Sequence, residues 1–438
     1  MGSSEAADAR WFGRAEFPVT ADRLRVLLHG QAVGTLEQAN KRGAPSFTYD
    51  ESYVAASGLA LSASLPLQRA TYQPERVIPY LRGLLPENRY TLMAWGDRLG
   101  TDYDDVFAML ANMGWDCPGA VQFCRDDELE AIRARDREYV PVDEQYIADR
   151  LRGLVDDSAG WSMPEEHWSL GGQQEKFALA FITGRWHEAR GSAATTHIFK
   201  PGIAHLASQA LVEHATMTAA ASLGVDAAET RFMHFGDQQA IVVKRFDRIV
   251  NADSVQRIHQ EDFCQALRRL PENKYEHRGG PTLNDMAGLI QRQSHDRQAD
   301  ALALADFLII NVVAGAPDGH AKNISMLRGA SNWVAPLYDL ATGLVYDKST
   351  VDRTVAVSVG GEREVGRIRS RQWAKAAKTL KIDPVDLNSR VRQLATDFPS
   401  AFARALADCG DSPEVEQLSR RSGTTIQQHC DRILDQLL

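Results

Sequence analysis

From residue 24 onward the chain places apolar and polar positions in short alternating runs. "LRVLLHG" (24–30) turns at Gly30, "FTYDESYV" (47–54) alternates with period two, and "SASLP" (62–66) stops at a proline. Turn residues separate these runs, so a small antiparallel sheet is expected between residues 24 and 65. The period then changes. Over 77–100 and 104–115 apolar residues recur three and four apart, which predicts helices packed on that sheet.

The stretch 125–145, polar on most faces and closed by Pro141, reads as a border. Beyond it "KFALAFI" (176–182), "TTHIFKPG" (195–202), "TRFMHF" (230–235) and "AIVVKRF" (240–246) are strand-like, and 204–223 is an alanine-rich helix stopped by Gly224. After Asp247 the runs turn helical: 261–270, 282–293, 299–315, 371–380, 386–398 and 424–438. The expected class is α+β, divided as 1–125, 126–247 and 248–438. No internal repeat or low-complexity segment stands out.

At 438 residues the chain exceeds what one core organises, and 44% apolar with 24% charged residues supplies ordinary globular material. Its 49 Lys plus Arg against 58 Asp plus Glu leave a net charge of -9, which disfavours stand-alone nucleic-acid binding. No run of 18 apolar residues occurs and the first ten residues are polar and acidic, so no membrane span or secretory leader is expected and the cytoplasm is the expected location. Cys117, Cys124, Cys264, Cys409 and Cys430 show neither CxxC spacing nor scaffold density, and the histidines form no HExxH pair. Reduced thiols and no zinc site follow.

Five features suit phosphoryl transfer, which asks a protein for a phosphate cradle, metal ligands and a base. "SLGGQQEK" (169–176) precedes a strand, and adjacent glycines let backbone N–H groups approach phosphates; taken alone, a glycine pair is more often just a turn. Lys200 lies in an apolar strand and Glu213 on the following helix, a pair fit for a kinase lysine and glutamate or for an edge lysine beside a solvated acid. "VVKRFDR" (242–248) would join two lobes, with backbone groups at Lys244, Arg245 and Phe246 available to an adenine; local pairing of Asp247 and Arg248 is the plainer reading. In "GAPDGHAKNISML" (315–327) Asp318 and Asn323 stand five apart after an apolar helix, a catalytic-loop spacing that Asp-Gly turns also produce. Asp339 in "WVAPLYDLATG" (333–343) ends a strand-like run, as a magnesium ligand or as a cap. Their order along the chain carries more than any one of them.

"SLGGQQEKFALA", "THIFKPG", "VKRFDR", "HQEDFCQAL", "DGHAKNISM" and "LYDL", with "LRGLLPENRY" and "MGWDCPGAVQF" earlier, resemble the HipA family of serine/threonine kinase toxins over nearly the whole chain. The resemblance implies a two-lobed protein-kinase-like fold, with a β-rich N-lobe, an all-helical C-lobe and an additional small α/β N-terminal subdomain. It implies Asp318 as catalytic base and Asn323 and Asp339 as Mg2+ ligands. Gly171, Gly172, Gln173, Gln174, Glu175, Lys176, Lys200, Lys244, Arg245, Phe246, Gln260, His320 and Tyr338 would surround ATP, and Ser169 would be the self-phosphorylated serine that shuts the enzyme down.

Lys244 departs from the family, whose better-known members carry an acidic residue there; a lysine cannot accept a proton from the adenine amino group. Implied partners are a HipB-like helix-turn-helix antitoxin, a protein substrate of the aminoacyl-tRNA synthetase class, and operator DNA reached only through the antitoxin. Arg367, Arg369, Arg371, Lys375, Lys378 and Lys381 would meet that DNA, or form a solvated helix face. A small-molecule kinase of the same plan and a non-catalytic co-repressor are the competing functions.

Overall fold

His29 and Gly30 both take positive φ, 52° and 78°, and fold β1 (Arg23–Leu28) back onto β2 (Gln31–Glu37) in an antiparallel hairpin. The computed structural model describes residues 23–39, 43–134, 137–156, 166–251 and 254–437; the first ten residues, on which the leader expectation rests, lie outside them. β3 (Ser46–Tyr49), β4 (Thr71–Tyr72) and β5 (Val121–Cys124) complete a sheet of order β4-β3-β2-β1-β5. The strand expected over 47–54 ends early: Asp50, extended at φ -64° and ψ 135°, precedes α1 (Glu51–Ala55). "SASLP" makes only a Ser62–Leu65 bridge, because the Ser62 hydroxyl and Ala63 N–H donate to Glu261 at 2.5 and 2.9 Å. The helices α2 (Pro74–Leu84), α3 (Arg89–Leu99) and α4 (Val106–Met113) follow, with proline tolerated in the first turn of α2.

The border segment is structured where described. It holds α5 (Leu129–Ala134), β6 (Arg137–Pro141) and α6 (Glu144–Asp156), and β6 forms the edge of a six-stranded sheet. The order there is β10-β11-β9-β7-β8-β6, from β7 (Phe177–Ile182), β8 (Arg185–Gly191), β9 (His197–Lys200), β10 (Thr230–Phe235) and β11 (Gln238–Lys244). The alanine-rich helix α7 (Gln209–Ser222) starts later than its pattern suggests, after Ser208 in the left-handed region at φ 59°.

The second lobe corrects the all-helical expectation. Its bulk is α8 (Phe263–Ala266), α9 (Leu283–Gln293), α10 (Arg297–Val313), α11 (Ser370–Leu380), α12 (Pro384–Ala407) and α13 (Pro413–Asp435). Short strands accompany them: the hairpin β12 (Arg248–Val250) and β13 (Val255–Arg257), the sheet β14 (His259–Asp262), β15 (Ser325–Arg328) and β16 (Trp333–Val334), and the hairpin β17 (Thr354–Val359) and β18 (Glu362–Glu364). β14 pairs with β15 through Asp262 and Ser325, a contact far too distant in sequence to leave a local hairpin signal.

Two cores meet at β11, whose side chains alternate between faces. Ala240 and Val242 belong to a core shared by the N-terminal sheet, α2, α4, α6 and the six-stranded sheet. Ile241 and Val243 belong to the core of α7 and the helical lobe. A buried ion cluster ties the N-terminal unit to the junction: Asp116 pairs with Arg248 and Arg257 at 2.8 Å and Arg245 at 3.4 Å, while Asp247 pairs with Arg248 at 2.8 Å and accepts from Gly119 N–H at 2.7 Å. Among the described residues no helix is long and apolar enough to cross a membrane.

Candidate active site

Between the six-stranded sheet and the helical lobe lies a cleft of about 1120 Å³. The fold brings to its walls every residue from Gly171 to Asp339 that the sequence marked for nucleotide, metal or base. Ser169 is the exception. It is fully buried behind the loop, where its hydroxyl donates to Leu84 O at 2.6 Å and its N–H to Asp116 O at 3.0 Å.

The glycine loop is pinned to the N-terminal unit. Glu87 N–H donates to Gly172 O at 2.9 Å, and Pro86 and Gly172 form a parallel bridge. Both glycines are sterically required. A Cβ on Gly171 would stand 2.6 Å from Gly83 O; Gly172 has φ +105°, and a Cβ there would stand 2.6 Å from Lys176 Nζ. The Lys176 ammonium in turn donates to Gly171 O at 2.8 Å. Burial, then the Lys200 charge, brings its pKa down to about 8.

β9 delivers Lys200 to the cleft floor. Its ammonium binds Glu213 of α7 at 2.8 Å and also Asp339, so the ion-paired alternative for Glu213 is the one realised. Burial opposes the charge on Lys200, but Asp339 and Glu213 outweigh it and its pKa rises. Asp339 is likewise penalised by burial yet held well below the usual carboxylate range by Lys200 and Lys176. It does not end a strand: β16 stops at Val334, and Asp339 sits in the left-handed region at φ 61°. Strain of that kind in a non-glycine residue is common at functional sites.

The loop after α10 carries the remaining groups. Asn323 donates its side-chain amide to Asp318 O at 2.9 Å, which directs its amide oxygen away as the end able to take a hard cation. The Asp318 side chain keeps 57% of its surface accessible, but that surface faces the cleft walls, and this desolvation raises its pKa. His320 is neutral. Burial, then Lys274, lowers its pKa to about 3, and its Nδ1 is buried without a partner. Tyr338 donates to Lys322 O at 2.6 Å and packs on Phe246 with ring centroids 5.4 Å apart.

At the junction the side chains divide. Gln260 donates to Asp247 at 3.3 Å and leaves Oε1 buried without a partner at the cleft. Arg245 lines the cleft, yet its guanidinium is committed to Asp247, Asp116, Thr195 and Cys117 O. Lys244 is half exposed and binds Glu229 at 2.9 Å.

Glu87, Asp262, Lys274, Tyr275 and Lys322 also line the cleft and escaped the sequence reading. Glu87 reaches in from the N-terminal unit to bind Lys274 at 2.8 Å, with Lys322 at 4.0 Å. Lys322 pairs with Asp262 at 2.7 Å, and Tyr275 donates to Asp318. Lys322, one residue before Asn323 in the same motif, was the one with a visible signal. Among the described residues no group of three or more His, Cys, Asp and Glu could hold a metal.

Comparison with known proteins covers both halves. The family model for the HipA N-terminal domain matches residues 24–124 and that for the HipA-like C-terminal domain matches 168–402. Y4mE of Sinorhizobium fredii is 34% identical over 398 residues, covering 90% of this chain and 94% of that protein. The serine/threonine-protein kinase toxin HipA of Shewanella oneidensis is 27% identical over 373 residues, 80% of this chain and 82% of that one. The solved complex of Shewanella oneidensis HipA with HipB and its operator DNA superposes with a TM-score of 0.82 at 24% identity, covering 94% and 97% of the two chains. With family matches on both sides of the border and a 34% identical relative spanning nearly its whole length, the chain belongs to the HipA family.

Proposed function

We propose that the chain is an ATP-dependent serine/threonine-protein kinase toxin that transfers the γ-phosphate of ATP to a protein target. One observation carries this reading: Lys200, bound to Glu213 and Asp339, shares a cleft with Asp318, Asn323 and a glycine loop. The loop N–H groups and Lys176 would cradle the phosphates, with Lys200 beside them. Asp318, its pKa raised by desolvation, would orient the acceptor hydroxyl and take its proton. Asn323 and Asp339 would hold Mg2+, which would supply charge neutralisation when bound. Tyr338, Phe246 and Gln260 surround the place for the adenine.

A translation enzyme of the aminoacyl-tRNA synthetase class is the target the family suggests. The Shewanella complex supports a HipB-like antitoxin as partner and operator DNA reached through it; Arg367, Arg369, Arg371, Lys375, Lys378 and Lys381 are all exposed around α11. Self-phosphorylation at Ser169 would switch the enzyme off. Its hydroxyl is buried against Leu84 O, where a doubly charged phosphate has no room, so the modified loop must leave the cleft.

Purified protein with Mg2+ and labelled ATP should label Ser169, and Asp318→Ala should abolish the label. Undiminished labelling in that variant contradicts the assignment.

A further inference from the structure

Between α8 and α9 the chain runs along the cleft as a strap, residues 270–280, that contributes Lys274, Tyr275, His277 and Arg278 to its lining. The strap is fastened on both sides of Tyr275. Lys274 binds Glu87 of the N-terminal unit at 2.8 Å, and the Glu276 carboxylate accepts from Ser358 N–H at 2.5 Å and Ser358 Oγ at 2.8 Å. Tyr275 O accepts from Arg278 and Gly280 N–H, both at 2.9 Å, and the ring stands edge-on to His320 at 5.0 Å. These contacts aim the phenol at one atom, Asp318 Oδ1, to which it donates.

We propose that Tyr275 is the acceptor-site gate: its phenol occupies the place of the incoming serine or threonine hydroxyl and keeps Asp318 from activating water. The inference rests on the kinase reading above. An acceptor hydroxyl must donate to the same carboxylate before attack, so phenol and acceptor exclude each other. The phenol itself does not react, because burial and the adjacent Asp318 hold its proton on. Without the gate, a water bound to Asp318 could form a bond from its oxygen to the γ-phosphorus. The bond from that phosphorus to the bridging oxygen of ADP would break, giving ADP and phosphate, with the water proton passing through Asp318 to solvent. A protein acceptor displaces the phenol by binding over the strap; water alone cannot make those contacts.

The test is ATP hydrolysis by the full chain with Mg2+ and no protein acceptor, alongside calorimetric binding of a non-hydrolysable ATP analogue. Tyr275→Phe keeps the ring, removes the donor, and is expected to raise hydrolysis about tenfold with analogue affinity unchanged, the scale of one hydrogen bond to a charged group. Glu276→Ala, which unfastens the strap from Ser358, should move hydrolysis the same way and decides the matter if Tyr275→Phe does not fold. Unchanged or slower hydrolysis with intact binding overturns the gate alone. In Tyr275→Phe, Asp318→Asn the gain should vanish; a gain that survives there removes Asp318 from the chemistry and with it the kinase reading.

Discussion

Lys200 and Asp339, 139 residues apart, meet in an ion pair while the same ammonium holds Glu213, so one cation serves two carboxylates from opposite lobes. Lys200→Met would leave Glu213 buried with no cation, and burial already pushes its pKa up. Breaking a buried pair from one side costs about 3 kcal/mol or more. Urea denaturation should show that loss, and phosphotransfer should fall at least ~100-fold because the phosphates lose their cation as well. A variant with wild-type stability would mean that the two carboxylates find another partner.

Lys176 is expected to take up a proton when ATP binds. Its pKa is near 8 in the folded chain against 10.5 ordinarily. Between those values the unfolded chain binds more protons, so this residue destabilises the fold at neutral pH and stability rises with pH through that window. Phosphates arriving beside it favour the charged form. Calorimetry of an ATP analogue at pH 8.5, in two buffers of different ionisation heat, should give different apparent enthalpies, and Lys176→Met should erase the difference.

Asp116→Asn should be among the most destabilising single changes away from the cleft. It leaves Arg245, Arg248 and Arg257 with Asp247 as the remaining carboxylate of the cluster, at a cost of about 3 kcal/mol or more. Burial works against the Asp116 charge, but Arg248, Arg257 and Arg245 together hold its pKa below the ordinary 3.8. Its contribution is therefore complete above that value and disappears as pH falls through the lower folded one. The variant should show a flatter loss of stability on acidification below 3.8, in a denaturant series carried well past that value.

Lys244→Ala, by contrast, should change ATP-analogue affinity less than about twofold. The side chain is spent on a half-exposed pair with Glu229, a type worth little. A tenfold drop would put this lysine on the nucleotide.

That the glycine loop, Lys200 and the Asp318 to Asn323 loop come together at one cleft was foreshadowed because each sets polar residues or glycines where the surrounding apolar pattern has no use for them. Glu87 and Lys274 were not, since each looks like an ordinary surface residue until the N-terminal unit docks, nor was Tyr275, whose partner Asp318 lies far along the chain. Nor was the role of Asp116, whose ion-pair partners lie beyond residue 244. The period-two run over 47–54 misled because the strand stops at Tyr49 and a helix starts at Glu51 while Tyr49 and Tyr53 keep facing the same core. The strands after Asp247 were hidden by pairings such as Asp262 with Ser325, whose partner is absent from any local window.

The alternation along β11 also limits which pieces of such a protein can be exchanged by recombination. Ala240 and Val242 belong to the core that also holds residues upstream of the border, while Ile241 and Val243 belong to that of the helical lobe. A chimera joined near residue 125 therefore divides the core of Ala240 and Val242 between two parents and leaves the core of Ile241 and Val243 whole, so it succeeds only when the donated N-terminal unit matches the volume of the first core.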